Sequence, residues 1–220
     1  MNVNFNYAKT LAGEGSLLLL LGLVPYVGWI LAIIGIVLYL RGVKELANYY
    51  QDDEIYQKSL TGVKFYVVAI IAAAVAIAAL VVGIATATGF TFTSGFVPTA
   101  GFAVGLIAFL GGLIIAFIFY ILAALHLKRT FNLLAQKSGE ASFATAGTLL
   151  WVGAILTIVV IGLLLILIAW IFATIGFFAM KSQQQQQSYT SQQNGYNQSP
   201  PSSTPPTAQH SKTSGEQTNE

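Results

Sequence analysis

Between Lys64 and Lys128 the chain runs for 63 consecutive positions without an Asp, Glu, Lys or Arg, and between Glu140 and Lys181 for another 40. A helix needs roughly 18 or more apolar residues to cross a hydrocarbon layer about 30 Å thick, and water-soluble domains do not carry uncharged runs of this length. Lipid is therefore the solvent this sequence predicts for most of its length. Composition agrees, since 55% of the 220 residues are hydrophobic and only 8% are charged, about a third of the charged share of a soluble domain.

The same totals exclude several function classes. A net charge of +2, with no Lys/Arg cluster and no RNA-type aromatic motif, argues against nucleic acid as a partner. Without cysteine there is no disulfide framework, thiolate nucleophile, iron–sulfur ligation or Cys-based zinc site. The segment from Met1 to Lys9 has one basic residue before its apolar stretch and no clean small-x-small cleavage signal, so the first apolar segment is expected to stay in the mature protein.

Four apolar blocks are visible: Leu17 to Leu40, Phe65 to Thr88, Phe102 to Leu127 and Leu149 to Met180. The second has 24 positions, about 36 Å of helix. Gly89 to Gly101, with three Gly, one Pro and four Thr/Ser, reads as an uncharged loop. The first block is ambiguous because Pro25-Tyr26-Val27-Gly28-Trp29 sits in its middle. A single kinked span from Leu17 to Leu40 would put Tyr26 and Trp29 near the bilayer centre, whereas both residue types favour the membrane–water boundary. A tight turn at Pro25 to Gly28 removes the conflict, with one helix from about Asn6 to Val24 and a second from Tyr26 past Leu40. Glu14 then lies about 16 Å below the turn, where its carboxylate needs protonation or a nearby Arg41 or Lys9. The fold class expected is an all-α integral membrane protein of four to five transmembrane helices in hairpins over residues 1–181, followed by a disordered tail over 182–220.

Loop charges suggest an orientation. Arg41 to Lys64 holds four basic residues and Lys128 to Gly147 three, while Gly89 to Gly101 holds none. Basic connections tend to stay inside, which predicts a cell-membrane protein with the loops 41–64 and 128–147 cytoplasmic and the C-terminal tail outside. Arg41 with Glu45 and Glu54 with Lys58 have the i,i+4 spacing of helix-supporting pairs. Asp52 and Asp53 before Glu54-Ile55-Tyr56 read as a helix N-cap with acids in the first turn, so two helices should meet near Gln51. At an offset of 87, Arg41 faces Lys128, Leu46 faces Leu133, Asp53 faces Glu140, Tyr56 faces Phe143 and Ser59 faces Ala146, the pattern of two parallel helix–turn–helix copies or of chance between apolar helices.

From Ser182 the composition changes. Of 39 residues, 27 are Gln, Ser, Thr or Pro, with five consecutive glutamines from Gln183 to Gln187, a composition that builds no core. On the outside, this tail and its Asn197-Gln198-Ser199 sequon would suit a glycosylated stalk.

Chemistry-bearing residues are few. His126 sits beside Lys128 and Arg129 at a helix end, with no partner in the apolar runs for a relay or a metal; an interfacial histidine is the simpler reading. Asp52, Asp53 and Glu54 have the oxygen ligands for a divalent cation, but capping already accounts for them. No nucleophile elbow, zinc-protease pair or phosphate-binding Gly-Lys loop occurs. No catalytic, cofactor-binding or metal residue is assigned, and no cofactor is implied. Beyond the bilayer, the partners expected are a second copy or other membrane proteins. Small residues recur every four positions at Gly28 and Ala32, Ala72 and Ala76, Ala79, Gly83 and Ala87, Gly101 and Gly105, and Ala108 and Gly112, which permits close helix packing within the chain or between copies. Thr86, Thr88, Thr91, Thr93 and Ser94 lie toward the uncharged end.

Several of these segments also carry a resemblance. Gly13-Glu14-Gly15-Ser16 before the Leu run, Pro25-Tyr26-Val27-Gly28-Trp29, Gly35, Lys44-Glu45-Leu46, Tyr49-Tyr50-Gln51-Asp52 and Glu54-Ile55-Tyr56 are similar to a family of small archaeal and bacterial membrane proteins known only as a domain of unknown function. Phe143 with Thr145-Ala146-Gly147, Gly153-Ala154, Thr157, Gly162 and Phe177-Phe178 continue the likeness, which runs roughly from Ala8 to Met180. Glu14 departs from it, since an apolar or small residue is expected there. The resemblance implies membrane embedding, is consistent with an archaeal source, and supplies no activity and no functional residues. The function expected is that of a non-enzymatic structural or interaction component of the cell envelope; the alternative is an oligomeric channel or transporter for small neutral solutes.

Overall fold

The computed structural model describes residues 4–22, 24, 26, 28–87, 100–159, 161–182 and 187–188. Among the described residues of the first 182, six α-helices follow one another: α1 (Phe5–Leu21), α2 (Gly28–Tyr50), α3 (Asp53–Ala87), α4 (Ala100–Ser138), α5 (Ala141–Leu156), continued by a 3-10 turn at Thr157–Val159, and α6 (Ile161–Ala179). No strand is present among the described residues. The chain divides into two units, Met1–Ser182 and Gln183–Glu220, and the expected disorder of the tail falls almost wholly on residues outside those described.

The helices form three antiparallel hairpins, α1 with α2, α3 with α4, and α5 with α6. Each helix packs on its sequence neighbours, and α6 closes the circle against α1. Among the described residues, four helices are long and apolar enough to cross a membrane: Asp53–Thr86, Ala100–Ser138, Ala141–Val159 and Ile161–Ala179. The first apolar block contributes none of these, because it folds back on itself. Gly28 N–H donates to the Val24 carbonyl at 2.9 Å, and a side chain at Gly15 would collide with the Tyr39 backbone. The turn thus falls where proline and the boundary aromatics place it, with Trp29 exposed; Pro25 itself lies outside the described residues.

The fourth block requires a correction, because the single span expected over Leu149 to Met180 is two helices. The chain reverses at Thr157 to Ile161, where Thr157 Oγ1 donates to the Gly153 carbonyl at 2.8 Å. Gly162 packs on the Gly153 backbone so closely that no Cβ fits. Length was the available signal: 32 residues make about 48 Å of helix, well beyond the hydrocarbon thickness. This reversal moves the start of the tail. Lys9 Nζ donates to the Met180 carbonyl at 3.2 Å and Phe177 packs on Phe143 at 4.9 Å, so α6 ends beside the N-terminus and the charged connections. The expectation that the tail leaves from the opposite end does not hold.

The internal repeat is present with its register shifted by one. Gln51 (φ 53°) and Gly139 (φ 71°) are the left-handed residues of the two turns, 88 positions apart. Glu54 N–H donates to Asp52 Oδ1 at 3.1 Å and Ser142 N–H to Glu140 Oε1 at 3.4 Å, the same cap in both copies. Seven of the eight buried positions of α2 have a buried counterpart 88 residues on: Gly28/Ala116, Gly35/Ala123, Tyr39/Leu127, Gly42/Thr130, Val43/Phe131, Leu46/Leu134 and Tyr50/Ser138. Matching by charge paired Asp53 with Glu140, whereas backbone geometry pairs Asp52 with it.

The small residues of α3 and α4 serve each other. Ala76 meets Gly112, and a Cβ on Gly105 would lie 2.6 Å from Gly83 Cα, so this face is spent on intramolecular packing. All charged side chains of the described residues lie toward the end that holds the turns at Gln51 and Gly139. Counting 1.5 Å per residue from those turns, Arg41, Lys64, Lys128 and Trp151 share a level about 15 Å up. Gly15 beside Tyr39 puts Glu14 there too. Beyond that level α3 and α4 extend roughly 35–40 Å, α2 about 20 Å and α5 with its 3-10 turn only about 12 Å.

Candidate functional site

The bundle interior is a ring of aromatics beneath a cavity. Tyr39 meets Trp170 (5.9 Å between centroids), Trp170 meets Phe131 (6.2 Å), Phe131 meets Phe143 (6.1 Å), Phe143 meets Phe177 (4.9 Å) and Phe177 returns to Tyr39 (6.1 Å). Offset and edge-to-face contacts of this kind add to simple burial. Above them is a cavity of about 210 Å³ to which all six helices contribute, among them Leu19, Tyr39, Tyr66, Tyr120, Leu150 and Trp170. Outside it, between the long α3–α4 hairpin and the tip of α5–α6, is a lateral cleft of about 630 Å³. Tyr66, Tyr120 and Leu163 line both spaces, and the two tyrosine rings are 6.2 Å apart.

These walls are apolar but for a few hydroxyls. Tyr39 and Ser59 have neighbouring hydroxyls, yet neither oxygen reaches hydrogen-bonding geometry with any partner. Replacing Tyr39 with phenylalanine should therefore leave stability within about 0.5 kcal/mol of the parent or raise it, because no bond is lost and a buried polar oxygen is removed; a thermal melt in detergent measures this. At the charged end, burial, and secondarily the adjacent Tyr49, pushes the Tyr50 hydroxyl well above the ordinary tyrosine range.

The residues weighed from sequence fall as follows. His126 Nδ1 bonds with the Leu122 carbonyl at 2.8 Å and its ring lies 5.2 Å from that of Phe65, a helix-held interfacial histidine. Among the described residues, no three His, Cys, Asp or Glu side chains come together. Asp52 caps α3 and pairs with Lys137 at 2.9 Å, tying the two turns to each other. Glu54 pairs with Lys58 at 3.4 Å, whereas Arg41 and Glu45 form no ion pair. Asp52→Ala should cost about 1–2 kcal/mol by loss of the cap and of a partly exposed ion pair, read as a lower midpoint in denaturant. Glu14 points outward and pairs with neither Arg41 nor Lys9. Its neighbours explain the motif around it: Gly13 lies under the Phe178 ring, Gly15 on the α2 backbone, and Ser16 Oγ is 3.0 Å from Thr174 Oγ1 of α6. Thr86 bonds its own helix at Gly83; Thr88, Thr91, Thr93 and Ser94 lie outside the described residues.

Sequence reasoning did not find the cleft. Tyr66 and Tyr120 are the one hint, each an aromatic with a polar tip inside an uncharged run. Lys128, expected at a helix end where a charged connection begins, has its Nζ 4.4 Å from the centre of the Trp151 ring on α5, a pairing across 23 residues that local pattern does not reveal.

A closed circle of hairpins with one charged end, two membrane-length helices rising far beyond it and an apolar interior defines an all-helical membrane protein. Its sequence matches over residues 31–171 the family described as "Protein of unknown function (DUF996)", and the chain belongs to that family. It is also 28% identical over 174 residues, 79% of this chain and 91% of the other, to Uncharacterized protein MJ1644 of Methanocaldococcus jannaschii. No solved structure matches.

Proposed function

We propose that this protein is a non-enzymatic interaction component of the cell membrane. It stands with its charged end in the cytoplasm, and its contact face is the outer side of α6. One observation carries this. At the level where α1 to α5 present Glu14, Arg41, Lys64, Arg129 and Trp151, and on down to the charged end, α6 presents Ile171, Ile175 and Phe178, the last two 49% and 48% exposed. An apolar strip reaching into a polar zone is the usual mark of a protein-binding surface. A photo-crosslinker placed at Ile175 in native membranes should yield a protein adduct of fixed mass, and the same group at Ile107, on the uncharged half of α4, only lipid adducts. Lipid adducts alone at both positions overturn the reading.

The orientation follows from the basic connections. With α6 returning to the charged end, the tail begins on the cytoplasmic side in this reading, and the Asn197 sequon stays unmodified. In the cysteine-free chain, a cysteine at Ser182 should react with an impermeant maleimide only from the side that also labels a cysteine at Gln51. One at Ile158, at the tip of α5–α6, should react from neither. Opposite-side labelling of positions 51 and 182 would contradict the arrangement.

A channel for small neutral solutes has the central cavity in its favour. The aromatic ring beneath it blocks a path along the bundle axis, so glycerol flux into reconstituted vesicles should stay at the lipid-only rate.

A further inference from the structure

We infer that the lateral cleft between α3–α4 and the tip of α5–α6 holds an acyl chain of an anionic membrane lipid, whose head group sits on Lys128 beside Trp151. The inference rests on the membrane placement proposed above and concerns a different surface from the α6 face.

The cleft has the size of a ligand site, about 630 Å³, within the range of pockets that enclose small molecules. Its walls are Ala69, Ile70 and Ala73 of α3, Leu113 and Phe117 of α4, and Ile158 at the hairpin tip. It exists because α5–α6 stops roughly 25 Å short of the far end of α3–α4, leaving the flank of the longer hairpin uncovered at a depth where hydrocarbon surrounds it. Water gains nothing from such walls, whereas an alkyl chain fits their chemistry.

The choice of an anionic lipid comes from what lies one lipid-length nearer the charged end. On α4, Phe117 and Lys128 are 11 residues apart and fall on one helix face; on α5, Trp151 stands two turns before Ile158. Lys128 and Trp151 thus lie directly below the cleft, at the level of the basic belt. The Lys128 ammonium is half-buried against the indole, and the ion pairs of the described residues, Lys58 with Glu54 and Lys137 with Asp52, leave it without a carboxylate. Arg129 beside it is exposed and likewise has none. A lysine whose N–H groups face only a π-system has donors left for an oxyanion, and an indole at the same height is a common neighbour of lipid glycerol and head groups. A cation without an acid, next to an open apolar slot of chain dimensions, fits an anionic phospholipid better than a zwitterionic one.

The test uses the full-length chain carrying Trp29→Phe and Trp170→Phe, so that Trp151 is the sole tryptophan, reconstituted in phosphatidylcholine vesicles. Chain-brominated phosphatidylglycerol or chain-brominated phosphatidylcholine is added at equal mole fraction, and quenching of Trp151 is read. The anionic lipid should associate about fivefold more strongly, the weight of one basic residue at a membrane surface. Lys128→Gln should bring the ratio close to one, Lys128→Arg should keep it, and Ala73→Phe, which fills the slot, should weaken quenching by both lipids. Circular dichroism on each variant establishes that the fold survives; the Arg variant decides the matter if Lys128→Gln does not fold. Equal quenching by the two lipids in the parent, or a preference that persists in Lys128→Gln, overturns the inference. Quenching by neither lipid would instead remove the membrane placement on which it rests, and a lost α6 crosslink with the lipid preference intact would remove the interaction reading alone.

Discussion

Phe143→Ala should lower the stability of the bundle by about 3–5 kcal/mol, the range for truncating a fully buried phenylalanine. Phe143 is completely shielded and holds three elements together. Its ring stacks on Phe131 of α4, meets Phe177 of α6 edge-on, and lies in the space that Gly176 leaves open, where an added Cβ would come within 2.9 Å of it. A void here is bordered by rings and by backbone that cannot close up, so relaxation recovers little of the loss. Reversible unfolding in mixed micelles, followed by circular dichroism, gives the number. Ile107→Ala, on a residue 70% exposed on α4, should change it by less than about 0.5 kcal/mol. A Phe143 variant as stable as the Ile107 variant would mean that the aromatic ring is not the core.

Gly15→Leu should be at least as damaging, for the opposite reason. Its Cβ would fall on the Tyr39 backbone, and backbone does not yield as a flexible side chain does. Overpacking by one side chain against backbone costs about 3 kcal/mol or more. The expected result is separation of α1 from α2 and rupture of the Ser16–Thr174 contact that joins α1 to α6. It would show as a lower melting temperature and a broadened elution profile in detergent. Gly111→Ala is the matched control. Nothing lies within 4 Å of an added Cβ there, so the substitution should be neutral or stabilising by up to about 1 kcal/mol through helix propensity.

The two outcomes together separate features that the sequence displays unequally. Gly15 stands out in a short Gly-Glu-Gly-Ser motif, and the need for it is backbone proximity, which small residues advertise. Phe143 stands in the connection Lys128 to Gly147, outside the apolar blocks, and only assembly shows that it is the centre of the molecule. The candidate site follows the same division. Asp52 was legible as a cap because capping is a local bond between a side chain and the next turn. The Lys128–Trp151 pair was not, because it joins two helices whose relative rotation no local rule fixes.

Read alone, the amino-acid order predicted a lipid solvent and settled the helical class and the helix start at Asp52, since each depends on hydrophobic run length or on bonds spanning a few residues, while for Leu17 to Leu40 it left a kinked span and a hairpin both open. Packing decided the rest: the reversal at Thr157, the 88-residue register, the shared end of the two termini of the bundle, and the cleft. In water, polarity marks which face of a helix turns outward. In lipid the surroundings are as apolar as leucine, so Val75, Val81 and Ile114 can face outward while Ala76, Gly83 and Gly105 pack inside, and only the fit of backbones and rings distinguishes one side from the other.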